Sequence, residues 1–164
     1  MRLISIAVVV AALAGSAHAD GLRDSVMKKY RAVDQALMRK DGDAFDKLTA
    51  EACAPGFKET MMGQSRDHEA MAAEMKKELQ GVSKVTSVTT KVNRVVMKKN
   101  KAMFYLHRTM VERAKGPDKK THRYSGAGDC LDTWVKTSKG WKLQSIVWSN
   151  MKQTQDGKPM KMGK

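Results

Sequence analysis

Apolar positions recur along the first third of the chain with the period of a helix. Leu22, Val26, Tyr30, Val33 and Leu37 follow one another at steps of four, four, three and four. That spacing lays a single apolar stripe along a helix from about 22 to 40. "KDGD" interrupts it. Asp43 stands just ahead of Ala44, Phe45, Leu48 and Ala52, so it is placed to cap a second, short helix that "APG" at 54 to 56 ends. "FKETMMG" alternates in part and predicts a first strand. From Ser65, a candidate N-cap, Met71, Met75 and Leu79 return to a four-residue step until Gly81.

Beyond Gly81 the period changes. Val82 to Met97, Lys101 to Arg113, Thr121 to Thr137 and Trp141 to Lys152 are rich in Val, Thr and aromatic residues, and "KKNK", "KGPDKK" and "TSKG" separate them. Four strands joined by hairpins make an antiparallel meander with one face left for helices to cover. Within the third of them, alternation puts Tyr124, Gly126, Gly128, Cys130, Asp132 and Trp134 on one face.

This order of elements resembles the α+β cone of the NTF2-like superfamily: three N-terminal helices packed on a curved, mainly antiparallel sheet. "KDGDAFDKL" at 40 to 48 and "DTWVKTSKGWKL" at 132 to 143 look like its SnoaL-like and DUF4440-like branch. Relatives of this kind isomerise or dehydrate small molecules, bind ligands, or assemble oligomers, so the resemblance implies a cavity between helices and sheet and a homodimer through the sheet. The isomerase tyrosine has no counterpart, because its place seven residues before Gly42 is Gln35. The isomerase aspartate is missing from "FKETMMG" as well.

The first residues change the picture of where the protein works. Arg2, a continuous apolar run and Ala17-His18-Ala19 have the order of a secretory signal peptide cut before Asp20. The expected organisation is therefore a signal peptide (1–19), a domain (20–152) and a flexible C-terminal tail (153–164), with a periplasmic or secreted location and no transmembrane segment in the mature chain. Cleavage removes one of 31 Lys+Arg and none of 17 Asp+Glu, which leaves 30 − 17 = +13. Such a charge favours anionic envelope components or acidic protein partners. Nucleic acid is not expected: there is no binding motif, and the lysine-bearing turns fall at opposite ends of the sheet.

Candidate chemistry is sparse. His107 and Asp132 form a possible acid–base pair if both point inward. Tyr105, His107, Tyr124, Asp132, Trp134 and Trp148 are the expected lining of a pocket for a small organic ligand, with aromatic walls and a polar pair to orient it. Cys53 and Cys130 form an even pair that an oxidising compartment can bridge, worth about 4 kcal/mol on a chain-entropy view. The M-x-M of "PMKMGK" invites a copper(I) reading, but no histidine or cysteine cluster accompanies it, so neither metal nor cofactor is expected.

Overall fold

The computed structural model describes residues 7–160, with side-chain surroundings from residue 21 onward. Parts of the signal-peptide reading and Met162 of the M-x-M pair therefore lie outside the described residues. Three helices, α1 (Ala7–Met38), α2 (Gly42–Ala52) and α3 (His68–Gly81), cover one face of a sheet. Its strands are β1 (Cys53–Met61), β2 (Gln64–Arg66), β3 (Val82–Lys98), β4 (Lys101–Lys115), β5 (Thr121–Thr137), β6 (Gly140–Gln155) and β7 (Lys158–Pro159). Their order is β2-β1-β6-β5-β4-β3, with β7 added beside β6. All pairs are antiparallel except β1 with β6. This is the expected α+β cone, a curved and mostly antiparallel sheet under three helices.

The apolar stripe of α1 is buried as its period requires: Leu22, Val26, Tyr30 and Leu37 lie in the core. Both short helices start differently from the sequence expectation. Asp41, not Asp43, caps α2, its Oδ1 accepting the Ala44 N–H at 2.9 Å. Asp67, not Ser65, caps α3 through the Ala70 N–H at 3.0 Å, and Ser65 belongs to β2. In each case the chosen aspartate sits three residues before the donor it satisfies, which is the reach a capping carboxylate needs. β1 begins earlier than expected, directly after α2. It absorbs "APG" as an irregularity between Cys53 and Lys58, with Gly56 at φ +75°. At the other end, β6 continues through Gln155 and β7 folds back on it, so residues 153–159 of the expected tail are largely strand-paired.

Most of the largest fully buried side chains gather where β4 and β5 meet. Ala102, Phe104 and Leu106 point inward from β4, and Cys130, Asp132 and Trp134 from β5. Phe104 lies opposite Asp132, and Leu106 opposite Cys130. Trp134 is edge-on to Tyr30 (ring centroids 6.1 Å) and to Phe104 (6.4 Å). Each such ring, fully buried, stabilises the fold by about 2 kcal/mol or more. At the far end of the sheet, His122 ties the β4–β5 turn to the β6–β7 turn, with Nε2 on Asp118 (2.9 Å) and Nδ1 on Asp156 (2.6 Å).

Of the two states open to Cys53 and Cys130, the structure has the free thiols. Both cysteines are free, and β6 lies between β1, which carries Cys53, and β5, which carries Cys130. Two strand spacings amount to about 9.5 Å, outside the roughly 7 Å that a disulfide spans between Cα atoms. Burial pushes each thiol up to about 12, so both are held neutral.

Candidate functional site

Asp132 organises the cone floor. Its side chain is fully buried, and Oδ2 accepts two donors: the Tyr30 hydroxyl at 2.7 Å and Arg108 Nη2 at 2.6 Å. Trp134 Nε1 in turn donates to the Tyr30 oxygen at 3.1 Å. The other carboxylate oxygen, Oδ1, has no nitrogen or hydroxyl donor, and the Cys130 thiol is the polar group that interacts with this carboxyl beside Tyr30 and Arg108. Burial raises the Asp132 carboxyl, opposed by the charge of Arg108 and the bond from Tyr30, with the net direction upward. For Arg108, burial works against the charge, but Asp132 and the other groups around it, Cys130, Tyr30 and Asp34, outweigh that and raise it. Arg108 and Tyr30 thus oppose the burial that raises this carboxyl.

Local sequence explains the arrangement. Tyr30 lies on the buried stripe of α1, and Asp34, one turn later, faces the sheet and accepts from Thr90 Oγ1 at 3.0 Å. Thr90 is the cross-strand partner of Arg108, which in turn faces Gly128. The bare Gly128 leaves room for a ring: a Cβ there would sit 3.2 Å from Trp148 Cε3 and 3.3 Å from Met151 Cγ. Trp148 is fixed by its Nε1 donating to Glu59 Oε1 at 2.7 Å. Glu59 is buried and held by Arg66 Nε at 2.6 Å, and Arg66 also pairs with Glu74. Arg108 thus lies between two rings, its guanidinium carbon 5.1 Å from the centre of Tyr30 and 5.5 Å from that of Trp148. Its side chain remains one-fifth exposed. The site has a filled floor of Tyr30, Phe104, Asp132 and Trp134, and a mouth where Arg108 and Trp148 reach solvent.

Several expected lining residues stand elsewhere. His107 and Asp132 do not meet: alternation on β4 turns His107 to the convex face, where Nδ1 pairs with Asp129 Oδ1 at 2.8 Å. The proposed acid–base pair is thereby corrected, because residues of opposite parity on neighbouring strands face opposite ways. Tyr105 is convex too, with the Arg94 guanidinium 4.0 Å above its ring. Trp134 faces inward but is 1% exposed, so it anchors the floor and borders no open space. Trp148 and Asp132 are at the site. Tyr124 shares the inner face at the far end of β5, opposite Glu112.

Tyr30, Arg108 and Glu59 were missed. The sequence did carry a signal for Arg108, which has the same parity as Phe104 and Leu106 and is the first charged residue after them in that inward series. Two clefts flank the helices. One of about 530 Å³ is bounded by Arg23, Met27, Arg31 and Thr89 to Val92, and one of about 440 Å³ by Arg39, Gly42, Lys76 and Leu79. Neither reaches Asp132. Among the described residues, no group of three or more His, Cys, Asp or Glu side chains is arranged to hold a metal ion, and no helix is long and apolar enough to cross a membrane.

No protein-family model matches the chain, and no curated protein matches it. Solved structures do. A Kribbella flavida protein aligns at TM-score 0.64 and 13% identity over 81% of this chain and 94% of its own. An NTF2-like superfamily protein from Salmonella enterica aligns at 0.59 and 12% over 88% and 96%. An NTF2-like protein of unknown function from Shewanella oneidensis aligns at 0.53 and 14% over 78% and 98%. The chain therefore has the NTF2-like fold. At these identities the likeness extends to architecture alone.

Removing the guanidinium should expose the dependence of Asp132 on it. Arg108→Met is expected to cost about 3–5 kcal/mol near neutral pH, as for a buried charge left unpaired. With the guanidinium no longer opposing burial, the folded carboxyl rises further above its unfolded value. Its stabilising contribution is full below the unfolded pKa and is lost as pH rises through the folded one. Urea unfolding should show Arg108→Met recovering stability relative to wild type on acidification toward pH 4. A constant difference between pH 4 and 8 would contradict this state of Asp132.

Proposed function

We propose that this chain is an exported binding module that takes a small organic molecule at the mouth of its cone, with no catalytic set of its own. The observation that carries the reading is Arg108. It is held between the rings of Tyr30 and Trp148, spends one described hydrogen bond on Asp132, and keeps part of its surface in solvent. A guanidinium has five N–H donors in a fixed fork, so Arg108 retains the capacity to receive an oxygen-bearing end of a ligand. Trp148 and Met151 supply an apolar wall beside it. An acid–base role for His107 with Asp132 loses its basis, since the two stand on opposite faces.

Export rests on the signal-like first 19 residues. A homodimer through the convex face belongs to the same proposal. Tyr105, Leu131 and Val147 are cross-strand neighbours forming an apolar row there, and Val147 is 43% exposed.

A fragment screen read by ¹H–¹⁵N NMR tests the site. Binders are expected to move the Gly126 and Gly128 amides and the Trp148 indole. Shifts confined to His107, Tyr105 and Leu131 would relocate the ligand to the convex face, and no response at the glycines would remove the proposal. Native mass spectrometry of the exported protein tests the remainder. It should show a chain beginning at Asp20 in a species of twice the mature mass, whereas an uncut monomer would contradict both parts.

A further inference from the structure

β3 ends the sheet: β4 pairs one side of it, and among the described strands none pairs the other. An edge of 17 residues is a template for any extended chain, but much of this one is irregular. Register shifts interrupt its pairing with β4 between Val82 and Lys84, between Val85 and Ser87, and between Val92 and Arg94. Such shifts bend and twist a strand, which spoils it for pairing. The longest regular run they leave is Ser87 to Val92, about 20 Å of strand.

The cleft of about 530 Å³ lies against this run and touches Thr89, Thr90, Lys91 and Val92 in succession. Lys91 is opposite His107 and shares its convex face with Thr89, whereas Thr90 reaches Asp34 on the helix side and Val92 packs on the core. A hollow that meets consecutive residues of both faces runs along the strand's edge, where alternate peptide groups point out of the sheet. No described backbone hydrogen bond outside the β3–β4 ladder uses those groups.

Across the cleft stands α1. Arg23, Met27 and Arg31 recur at four-residue steps and line one side of the helix. Arg23, Arg31 and Lys91 are exposed, and none of them belongs to an ion pair among the described residues. Asp24 is the one carboxylate in the lining, so three cations face one anion. The nearby Asp34 is already engaged by Thr90, and Arg94, beyond the last register shift, is stacked on Tyr105. Free strand edge, open volume and unspent positive charge therefore coincide at one place.

We propose that this edge takes an extended acidic peptide as an added strand: its backbone pairs with the outward peptide groups of Ser87 to Val92, and its carboxylates meet Arg23 and Arg31 on the helix side and Lys91 on the convex side. Main-chain pairing supplies affinity with little demand on sequence, and the cations select by charge. Arg23 and Arg31 stand about 12 Å apart along the helix, close to the 13 Å or so that four residues of strand span. Acidic residues at alternate positions of a peptide match that interval. A second copy of this chain is a poor occupant, because pairing two β3 edges brings two sets of the same cations together. The cleft does not reach Asp132, so this surface is separate from the mouth of the cone.

An eight-residue Thr-Glu repeat, acetylated and amidated, tests the proposal by NMR titration of the exported chain. A Thr-Lys repeat, the Thr-Glu repeat with every backbone nitrogen methylated, and free glutarate are the comparisons. The Thr-Glu peptide should shift the amides of Ser87 to Val92 and slow hydrogen exchange at those that point outward. The three comparison probes should each bind about tenfold more weakly or less, having lost either the charge or the main-chain donors. Arg31→Gln combined with Lys91→Gln should weaken the Thr-Glu peptide about tenfold, the scale of two exposed ion pairs, and leave the Gly126 and Gly128 amides in place. Methylated peptide or glutarate binding as tightly as the Thr-Glu peptide would reduce the edge to a simple anion site and overturn the added strand. Equal binding of the Thr-Lys peptide would overturn the selection by charge. Shifts at Ser87 to Val92 on raising the protein concentration alone would give the edge to a second copy, and no shift there with any probe would remove the surface altogether.

Discussion

A carboxylate buried without access to water is the constraint around which this fold is arranged. Asp132 sits at the narrow floor of the cone among Phe104, Trp134 and Cys130, surroundings that by themselves would keep it protonated. It is held by two donors from two different layers: Tyr30 on the first helix and Arg108 on the neighbouring strand. The contact with Tyr30 joins residues 102 positions apart, and Trp134 extends it by donating to the same phenol oxygen. Helix α1 is thereby set in one register on the sheet, which apolar packing of Leu22, Val26 and Leu37 alone specifies less sharply. Removing any one partner leaves a buried polar group without compensation, which costs more than the contact itself contributes.

The same arrangement frames the mouth at which a ligand is proposed to bind. Aromatic rings and Asp132 fill the floor, and Arg108 stands beyond them between Tyr30 and Trp148. Trp148 is shared between structure and site, braced by Glu59 and by the missing side chain of Gly128. Such bracing gives a binding wall a fixed shape before any ligand arrives.

Much of this was legible from periodicity. The helix stripe from Leu22 to Leu37, the four long strands and the shared face of Cys130, Asp132 and Trp134 follow from steps of three to four and of two, although which face turns inward does not. What periodicity could not supply is phase between strands. His107 and Asp132 look like partners in the sequence, yet the β4–β5 register places His107 opposite Asp129 and Phe104 opposite Asp132. The same missing phase concealed Arg108, which sits in an inward series of Ala102, Phe104 and Leu106 and reads as surface charge until its partner is known. Glu59 and Trp148 meet across the parallel pairing of β1 with β6, a contact between residues 89 positions apart that no local pattern announces. Cys53 and Cys130 failed as a pair for a topological reason: β6 runs between them.

The central claim is that Tyr30 and Asp132 form one coupled unit that joins helix to sheet. A double-mutant cycle of Tyr30→Phe and Asp132→Ala, measured by urea unfolding at neutral pH, tests it most directly. The coupling energy should be about 1–3 kcal/mol, the range for groups sharing one buried network. Additive losses, with coupling indistinguishable from zero, would show that the two residues stabilise the cone independently and would contradict this account of its floor.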